Sequence, residues 1–250
     1  MRNKRGQVTI YIILGILILV AIGVIIFISN TSLRAGLSSE NDEAFLASQV
    51  EPLRSFIDGC VENIVKEDLA LLKKYSGYQQ ENVYSLDYRG AKINYLVYKD
   101  GGPANQLNPI SEIESGLADS VKNKFRSQCN LKNFKANLKL NDDFSKFNVK
   151  VTVRDAVIDL EVSYPLILSK GNSQLKIDAF NVDVATEFGV IYKAVTDIIN
   201  GEINLRFDKL KYEQANQNIF ITKDNLDLRN SVYTVTTKKG EEFLIFAVRR

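Results

Sequence analysis

The sequence contains no histidine and no tryptophan, and only two of its 250 residues are cysteine. Without histidine, neither a Ser-His-Asp nor a Cys-His arrangement can form, and the commonest general base near neutral pH is missing. The two cysteines lie far apart in sequence and lack the paired spacing of a structural zinc site. The glycines form neither a GxGxxG fingerprint nor a phosphate-binding loop. We therefore expect no enzymatic activity, no catalytic residue, no metal site and no cofactor.

Acidic side chains are the remaining candidates for chemistry. Residues 141–143 and 224–227 carry oxygen atoms that suit Ca²⁺, but neither run has the alternating ligand spacing of an EF-hand loop. Asp159 and Glu161 share one face of a predicted strand, whereas a glycosidase needs two carboxylates across a cleft. We interpret the two runs as solvated turns and the pair as an exposed strand face. A hydrolase that uses carboxylates alone on cell-envelope polymers is therefore the least favoured hypothesis.

Clustered positive charge is missing from nearly all of the chain. The formal net charge is +2, but Arg2, Lys4 and Arg5 precede every acidic residue, and residues 29–250 hold 30 acids against 29 bases. No face is expected to concentrate the lysines and arginines that phosphate binding requires. We therefore predict no nucleic-acid partner.

One long uncharged stretch occupies residues 8–28. As a helix these 21 residues would be about 31 Å long, which matches the hydrocarbon core of a bilayer. Arg2, Lys4 and Arg5 precede the stretch, and the positive-inside rule then keeps residues 1–7 in the cytoplasm. The sequence predicts a single-pass cell-membrane protein with a transmembrane helix at residues 8–28 and an extracytoplasmic main domain.

The residues directly before the apolar stretch, KRGQVT at positions 4–9, resemble the class III signal peptides of archaeal pilins and archaellins. The resemblance implies a prepilin peptidase as a partner, which would cleave between Gly6 and Gln7 and leave the apolar segment in place. Members of this family usually carry glutamate at the fifth mature position, where this chain has Tyr11. The alternative is an uncleaved signal anchor, which needs only a basic flank and an apolar run.

Four segments of the chain are similar to a group of archaeal single-pass membrane proteins. They are RGQVTIYIILG, SFIDGCVENIVKEDLALLKKYSGY, SYPLIL and FLIFAVRR, which are spread over most of the sequence. This resemblance implies a membrane-anchored architecture and no particular activity.

The residues after the apolar stretch divide into a tether and a folded region. Residues 29–41 are polar and are expected to form a tether or a frayed continuation of the helix, and Asn30 opens a glycosylation sequon. Residues 42–250 are predicted to form one extracytoplasmic α+β domain. A change from helical to alternating periodicity near Asn130 suggests lobes at 42–130 and 131–250.

Long amphipathic helices are predicted in the first half of this domain. Between residues 42 and 75 the apolar residues recur every three or four positions and form one face. Pro52 predicts either a kink or a new helix start. The apolar face either packs on the domain's own sheet, which we favour, or forms a seam between copies. Ser111 and Glu114 predict a capping box at the start of the next helix, which ends near Gln128.

The two cysteines lie on these predicted helices. Cys60 belongs to the apolar face of the first, and Cys129 follows the end of the second. An even number of cysteines outside the cytoplasm favours a disulfide, and two buried free thiols are the alternative. We predict a disulfide between Cys60 and Cys129.

Alternating apolar residues predict a mainly antiparallel sheet with a meander topology. Residues 83–100 are expected to form a hairpin that turns at Arg89-Gly90, and FLIFAV at 243–248 is apolar on both faces and should be a central strand. A further helix is expected over residues 186–200, with Gly201 as its stop.

Two positions interrupt the predicted strands. Pro165 is expected to end its strand or to place it at an edge, because proline has no backbone donor. In residues 175–185 the apolar positions change from odd to even numbers, which predicts a β-bulge at Ala179–Phe180.

Two functional hypotheses fit these features best. The first is a membrane-anchored structural or interaction protein, such as a pilin-like cell-surface subunit that associates with copies of itself through the transmembrane helix and the first outer helix. The second is a signal-anchored binding module or surface receptor that does not form filaments. The first predicts polymers after extraction from the lipid bilayer, and the second predicts monomers with a pocket.

Overall fold

The computed structural model of the protein describes residues 5–81, 84–99, 105–136, 138–240 and 242–250. Before residue 41, the only side chains it describes are those of Val20 and Ile22. The fold is α+β, as predicted. In chain order, the helices and strands are α1 (Arg5–Lys74), β1 (Ser85–Tyr88), β2 (Ala91–Tyr98), α2 (Ile110–Gln128), β3 (Lys139–Asp142), β4 (Asn148–Val153), β5 (Val157–Lys170), β6 (Ser173–Ala185), α3 (Phe188–Ile203), α4 (Lys209–Ala215), β7 (Ile219–Asn225), β8 (Asn230–Thr237) and β9 (Phe243–Arg249).

The helix α1 runs without interruption from Arg5 to Lys74 and includes residues 29–41. The helix passes through Pro52, so the predicted alternative of a new helix start at this residue is wrong. Proline removes one backbone donor from the helix. Burial of the apolar face on both sides, at Leu46 and Leu53, offsets this local cost.

Among the described residues, none of the helices combines the length and the apolar character that a membrane span requires. The predicted span at residues 8–28 lies within α1, but all of its side chains except Val20 and Ile22 are outside the described residues. The transmembrane helix stays a prediction.

A four-stranded antiparallel sheet packs against α1 and α2. In this sheet β5 is central, with β6 on one edge and both β3 and β4 on the other. The helix α1 lies over β6 and α2 lies over β4. The apolar stripe of α1 is buried against this sheet, as favoured from the sequence, at Leu46, Leu53, Ile57, Val61, Ile64 and Leu72.

The predicted disulfide between Cys60 and Cys129 is confirmed, with a Cα–Cα distance of 5.7 Å. It joins α1 to the residue that follows α2, and therefore links the two helices that cover the sheet. The loop that it closes is long, so the bond restricts the unfolded chain strongly.

The interruption of the strands is real, but the predicted position of the extra residue is wrong. The pairing register shifts between Ser163–Ala179 and Leu166–Ile177, so Tyr164 and Pro165 of β5 lie opposite a single residue of β6. The bulge therefore belongs to β5 and not to β6. Pro165 neither ends its strand nor lies at an edge, because a bulge needs no ladder donor at that position.

A second sheet has five strands in the order β1-β2-β9-β8-β7, and combines segments from both sides of Asn130. Its pairs are antiparallel except for β2–β9. The central position of β9 confirms the prediction for FLIFAV. The helix α3 covers one face of this sheet, and its apolar residues join those of the first sheet in one continuous core.

Two predicted helix boundaries are wrong. The helix α2 begins at Ile110 without a side-chain cap, and Glu114 instead accepts a hydrogen bond from the Val153 N–H at 2.9 Å. Gly201 does not stop α3, which continues to Ile203. A Cβ at Gly201 would lie 2.8 Å from the Cβ of Phe207, so glycine is needed there for close approach.

Candidate functional site

A groove of about 660 Å³ opens on the face of the five-stranded sheet that α3 leaves uncovered. Its lining comes from the end of α1, the β1–β2 hairpin, and the strands β7, β8 and β9. The hairpin was predicted from the sequence and is confirmed. The assembly of these segments around one groove was not predicted.

The floor of the groove is a row of side chains that crosses neighbouring strands. Thr222 pairs with Thr234, and Thr234 pairs with Ile245, so three strands contribute one residue each at the same level. At a strand spacing of about 4.8 Å, this row is about 10 Å long. Ile93 extends the floor on β2, and Phe243 and Ala70 add apolar surface at the wall.

The sheet curls until its two edge strands meet across the groove. The Tyr88 hydroxyl at the end of β1 donates a hydrogen bond to the Asp224 carboxylate on β7, and the Arg89 Nη2 lies 3.2 Å from the same carboxylate oxygen. Because β1 and β7 are opposite edges of the sheet, these contacts close one side of it into a barrel-like curve. A small apolar cluster, formed mainly by Ile93, Tyr95, Val232 and Ala247, fills the inside of this curve.

The hairpin turn holds Arg89 at the mouth of the groove. Arg89 and Gly90 have φ angles of 50° and 82°, the pattern of a type I′ turn with two left-handed residues. Such a turn matches the twist of the two strands, so the arginine position follows from the backbone.

Of the cations at the mouth of the groove, Lys73 and Arg89 are ion-paired within the described residues and Lys74 is not. The Lys73 Nζ lies 3.1 Å from the Glu242 carboxylate, and Glu242 also accepts a hydrogen bond from the Thr186 hydroxyl at 2.7 Å. The Lys74 Nζ lies 4.8 Å from the centre of the Tyr75 ring and has no carboxylate partner in the described part of the chain. The rim therefore favours a ligand with a negative charge next to an apolar group.

The groove shows binding chemistry and no activated nucleophile among its described residues. The hydrogen bond to Asp224 raises the pKa of Tyr88, which is the opposite of what a reactive phenolate needs. Asp224 itself is held by Tyr88 and Arg89.

A buried carboxylate lies on the other face of the same sheet. Glu202 of α3 is 1% exposed and accepts hydrogen bonds from the Tyr233 hydroxyl and from Arg250, whose Nε lies at 2.9 Å. The Lys223 Nζ lies 3.1 Å away. Burial alone raises the pKa of Glu202, but these three donors outweigh it and hold the pKa below its usual value. The charged network joins α3, β7 and β8 and is a structural cluster rather than an open site.

The other residues that were singled out from the sequence remain separate from the groove. Arg2 and Lys4 lie outside the described residues, as do the side chains of Arg5, Gln7 and Asn30. The predicted cleavage site between Gly6 and Gln7 lies in the first turn of α1. The orientation signal, the cleavage and the glycosylation stay predictions.

The acidic runs and pairs have local partners. Asp143 accepts a hydrogen bond from the Ser145 N–H, and Asp227 accepts from the N–H groups of Arg229 and Asn230. Asp159 and Glu161 form ion pairs with Arg154 and Lys150, respectively. Within the described ranges, no group of three or more His, Cys, Asp or Glu residues could hold a metal ion.

No protein-family model, no curated protein and no solved structure matches this chain. The function of the groove therefore has to be inferred from its own residues.

Proposed function

We propose that this chain is a membrane-anchored extracytoplasmic interaction protein, held in the bilayer by residues 8–28. The continuity of α1 carries this proposal, because one helix contains the uncharged stretch and also supplies a row of buried apolar side chains to the folded core. No loop separates these two parts between Arg5 and Lys74, so an anchor at one end would orient the whole domain.

Two exposed apolar side chains within residues 8–28 suggest that this part of α1 is covered by something other than the folded domain. Val20 and Ile22 are 59% and 48% exposed, so the folded domain does not cover them. Burying an isoleucine or valine side chain stabilises by about 1.5–3 kcal/mol, which lipid or a second apolar helix would supply. The Arg2, Lys4 and Arg5 cluster orients the helix with its N-terminus in the cytoplasm.

A pilin-like subunit is the more specific form of this proposal. The KRGQVT segment supports processing by a prepilin peptidase, and the apolar part of α1 would then associate with copies of itself. The stripe from Leu46 to Leu72 is already buried in the domain's own core, so self-association is restricted to the apolar segment and the outward face of α1.

Intact mass spectrometry of the chain purified from membranes tests the processing. Cleavage between Gly6 and Gln7 removes the first six residues, and Gly6→Val is expected to block it while Gly15→Val leaves it unchanged. A wild-type mass that always includes residues 1–6, when the chain is co-expressed with a prepilin peptidase, would contradict the pilin-like form and leave the signal anchor.

The groove favours a second candidate function, the signal-anchored binding module. Its floor of threonine and isoleucine and the Lys74 at its rim, which is unpaired among the described residues, resemble a small-ligand site more than a filament contact. Native mass spectrometry of the extracted chain is expected to show a bound small molecule that Thr234→Trp displaces from the floor. Lys150→Trp, on the exposed face of the other sheet, is the matched control. A wild-type monomer without any bound mass would count against this candidate.

A further inference from the structure

Exposed leucines are concentrated at one end of the five-stranded sheet. Leu205 follows α3, Leu210 lies in α4, and Leu226 and Leu228 lie in the β7–β8 turn, with exposed fractions of 70%, 69%, 44% and 102%. We call residues 202–211 and 225–229, together with Lys99, Lys223 and Arg250, the distal tip. The distal tip lies at the C-terminal end of α3. Thr186, which contacts Glu242 beside α1, lies at the other end of this helix.

Hydrogen bonds hold the segments of the distal tip together. Arg250 donates through its side chain to Glu202 and through its backbone N–H to the Arg229 carbonyl, at 2.9 Å in each case. These bonds place the loop after α3 beside the β7–β8 turn. The Lys99 Nζ lies 3.4 Å from the Ile203 carbonyl, which adds the end of β2.

The helix α4 brings Leu210 to the same end. The Ile219 N–H donates to the Asn216 carbonyl at 2.9 Å, and the Ile221 N–H donates to the Glu213 carboxylate at 2.7 Å. The helix therefore runs antiparallel to β7 along its free edge. Its first residues lie towards the end of β7, where the turn with Leu226 and Leu228 begins.

The backbone holds two of these leucines outward. Leu205 has a φ of 54°, a left-handed conformation that leucine rarely adopts, and its N–H bonds to the Glu202 carbonyl at 3.2 Å. Leu228 lies in a turn in which Asp227 accepts the next two N–H groups at 2.7 Å each. These side chains therefore extend from fixed turns and do not fold onto the core.

Bases outnumber acids at the distal tip and its flanks. The bases are Lys99, Arg206, Lys209, Lys211, Lys223, Arg229 and Arg250, and the acids are Glu202, Asp208, Glu213, Asp224 and Asp227. Each acid already accepts a backbone or side-chain hydrogen bond. Lys209 and Lys211 are paired with Glu213 and Asp208, whereas Arg206 and Arg229 form no ion pair within the described residues. The exposed charge beside the leucines is therefore positive.

We propose that the distal tip docks on the surface of an anionic lipid bilayer. The leucines enter the interfacial layer, and Arg206 and Arg229 contact lipid phosphates. A bilayer fits this surface better than a protein does, because the leucines protrude from separate segments. Protein hot spots are rich in Trp, Tyr and Arg and poor in Leu, whereas an interfacial layer accepts aliphatic side chains beside bases. If α1 is anchored as proposed above, this bilayer is a second membrane; the docking itself does not depend on the anchor.

Vesicle flotation with the full chain tests this proposal. The chain is held in nanodiscs of phosphatidylcholine, so that the apolar part of α1 is already occupied, and is mixed with vesicles of phosphatidylcholine alone or with phosphatidylglycerol. Co-elution with the discs reports the anchor separately. A chain that stays outside the discs would contradict the anchor only, and it is then added directly to the vesicles for the same comparison.

We expect about tenfold stronger binding to the vesicles that contain phosphatidylglycerol. The double variant Leu205→Ser/Leu228→Ser should weaken binding to them about tenfold, and Arg206→Gln/Arg229→Gln should remove the preference for the anionic lipid. The matched controls are Leu71→Ser, an exposed leucine of α1, and Lys150→Gln/Lys176→Gln on the other sheet.

Two results would overturn the proposal. One is equal vesicle binding by the wild type, the tip variants and the controls. The other is binding that soluble polyglutamate abolishes while the leucine variants leave it unchanged, because the tip would then recognise acidic polypeptides and not lipid.

Discussion

The two sheets each bury one face in the common core, but their other faces differ. The outward face of the four-stranded sheet is polar and carries local ion pairs, such as Lys150–Glu161 at 3.5 Å and Lys176–Asp178 at 2.7 Å. The outward face of the five-stranded sheet is mostly apolar, curls over itself and contains the groove. A polar face of this kind needs only water, whereas the other presents apolar surface beside Lys74, which has no carboxylate partner among the described residues. We infer that the first sheet supports the domain and the second recognises partners.

The two regions are also held together in different ways. The four-stranded sheet is covered by two helices that share the Cys60–Cys129 disulfide. The five-stranded sheet depends on a buried ionic network around Glu202. Each device predicts a separate loss of stability.

The largest expected effect is loss of the Glu202 network. Glu202→Gln leaves Lys223 and Arg250 without their carboxylate partner, and we expect the free energy of unfolding to fall by about 3–5 kcal/mol. Chemical denaturation measures this change. Glu62→Gln, which removes an exposed ion pair with Lys66, is the control and should change stability by no more than about 1 kcal/mol. Equal midpoints for the two variants would mean that the network does not hold the second sheet.

The same carboxylate predicts an acid-dependent loss of stability. Because its donors hold the pKa of Glu202 below the unfolded value, its contribution is fully present above the unfolded pKa and is lost as the pH falls through the folded pKa. The difference in the free energy of unfolding between the wild type and Glu202→Gln should therefore begin to shrink below about pH 4.5. It should disappear once the pH falls below the folded pKa of Glu202. A constant difference down to pH 2 would contradict this assignment.

Removal of the disulfide should destabilise the first region by a similar amount. Chain entropy for the loop between Cys60 and Cys129 gives about 4 kcal/mol, so Cys60→Ser should lower the melting temperature in oxidising buffer. Reductant should lower that of the wild type to the same value. If reductant shifts Cys60→Ser as much as it shifts the wild type, the bond is not responsible.

Replacing two helical glycines by alanine distinguishes a glycine that is needed for close packing from one that only lowers helix propensity. A Cβ at Gly189 would collide with the Arg154 carbonyl, so Gly189→Ala should destabilise the contact between α3 and the β4–β5 turn by about 1–3 kcal/mol. A Cβ at Gly59 meets nothing within 4 Å, so Gly59→Ala should stabilise α1 by about 0.5–1 kcal/mol. Thermal unfolding of both variants measures the difference, and the same sign for both would refute the close-approach explanation.

The smallest expected effect concerns the closure of the groove. Tyr88→Phe removes the hydrogen bond to Asp224 and should lower the stability of the protein only slightly, because Arg89 still contacts the same carboxylate. Hydrogen exchange should rise in the β1–β2 hairpin and remain unchanged in β5 and β6. Faster exchange in both sheets would show that the two regions are not independent.

Periodicity predicted the features that depend on one segment at a time. The buried stripe of α1, the hairpin at Arg89-Gly90 and the central strand at 243–248 could be located in this way. It could not assign the bulge, because the phase change of β6 is matched by an extra residue on its partner, at Pro165.

The groove and the Glu202 network could not be predicted either, because they also depend on contacts between segments that are distant in the sequence. Their residues come from positions between 70 and 250 and meet only after the sheet curls. Gly201 is a similar case, because its contact with Phe207 determines whether it ends the helix.

Membrane topology in intact cells tests most directly whether the two sheets are displayed outside the cytoplasm. The native cysteines are bonded to each other, so a single introduced cysteine can be labelled with a membrane-impermeant maleimide, and the wild type serves as the unlabelled control. We expect Lys150→Cys to react in intact cells. Lys4→Cys, combined with Gly6→Val so that residues 1–6 are retained, should react only after lysis. The reverse pattern, with Lys150→Cys protected until the cells are lysed, would contradict the account.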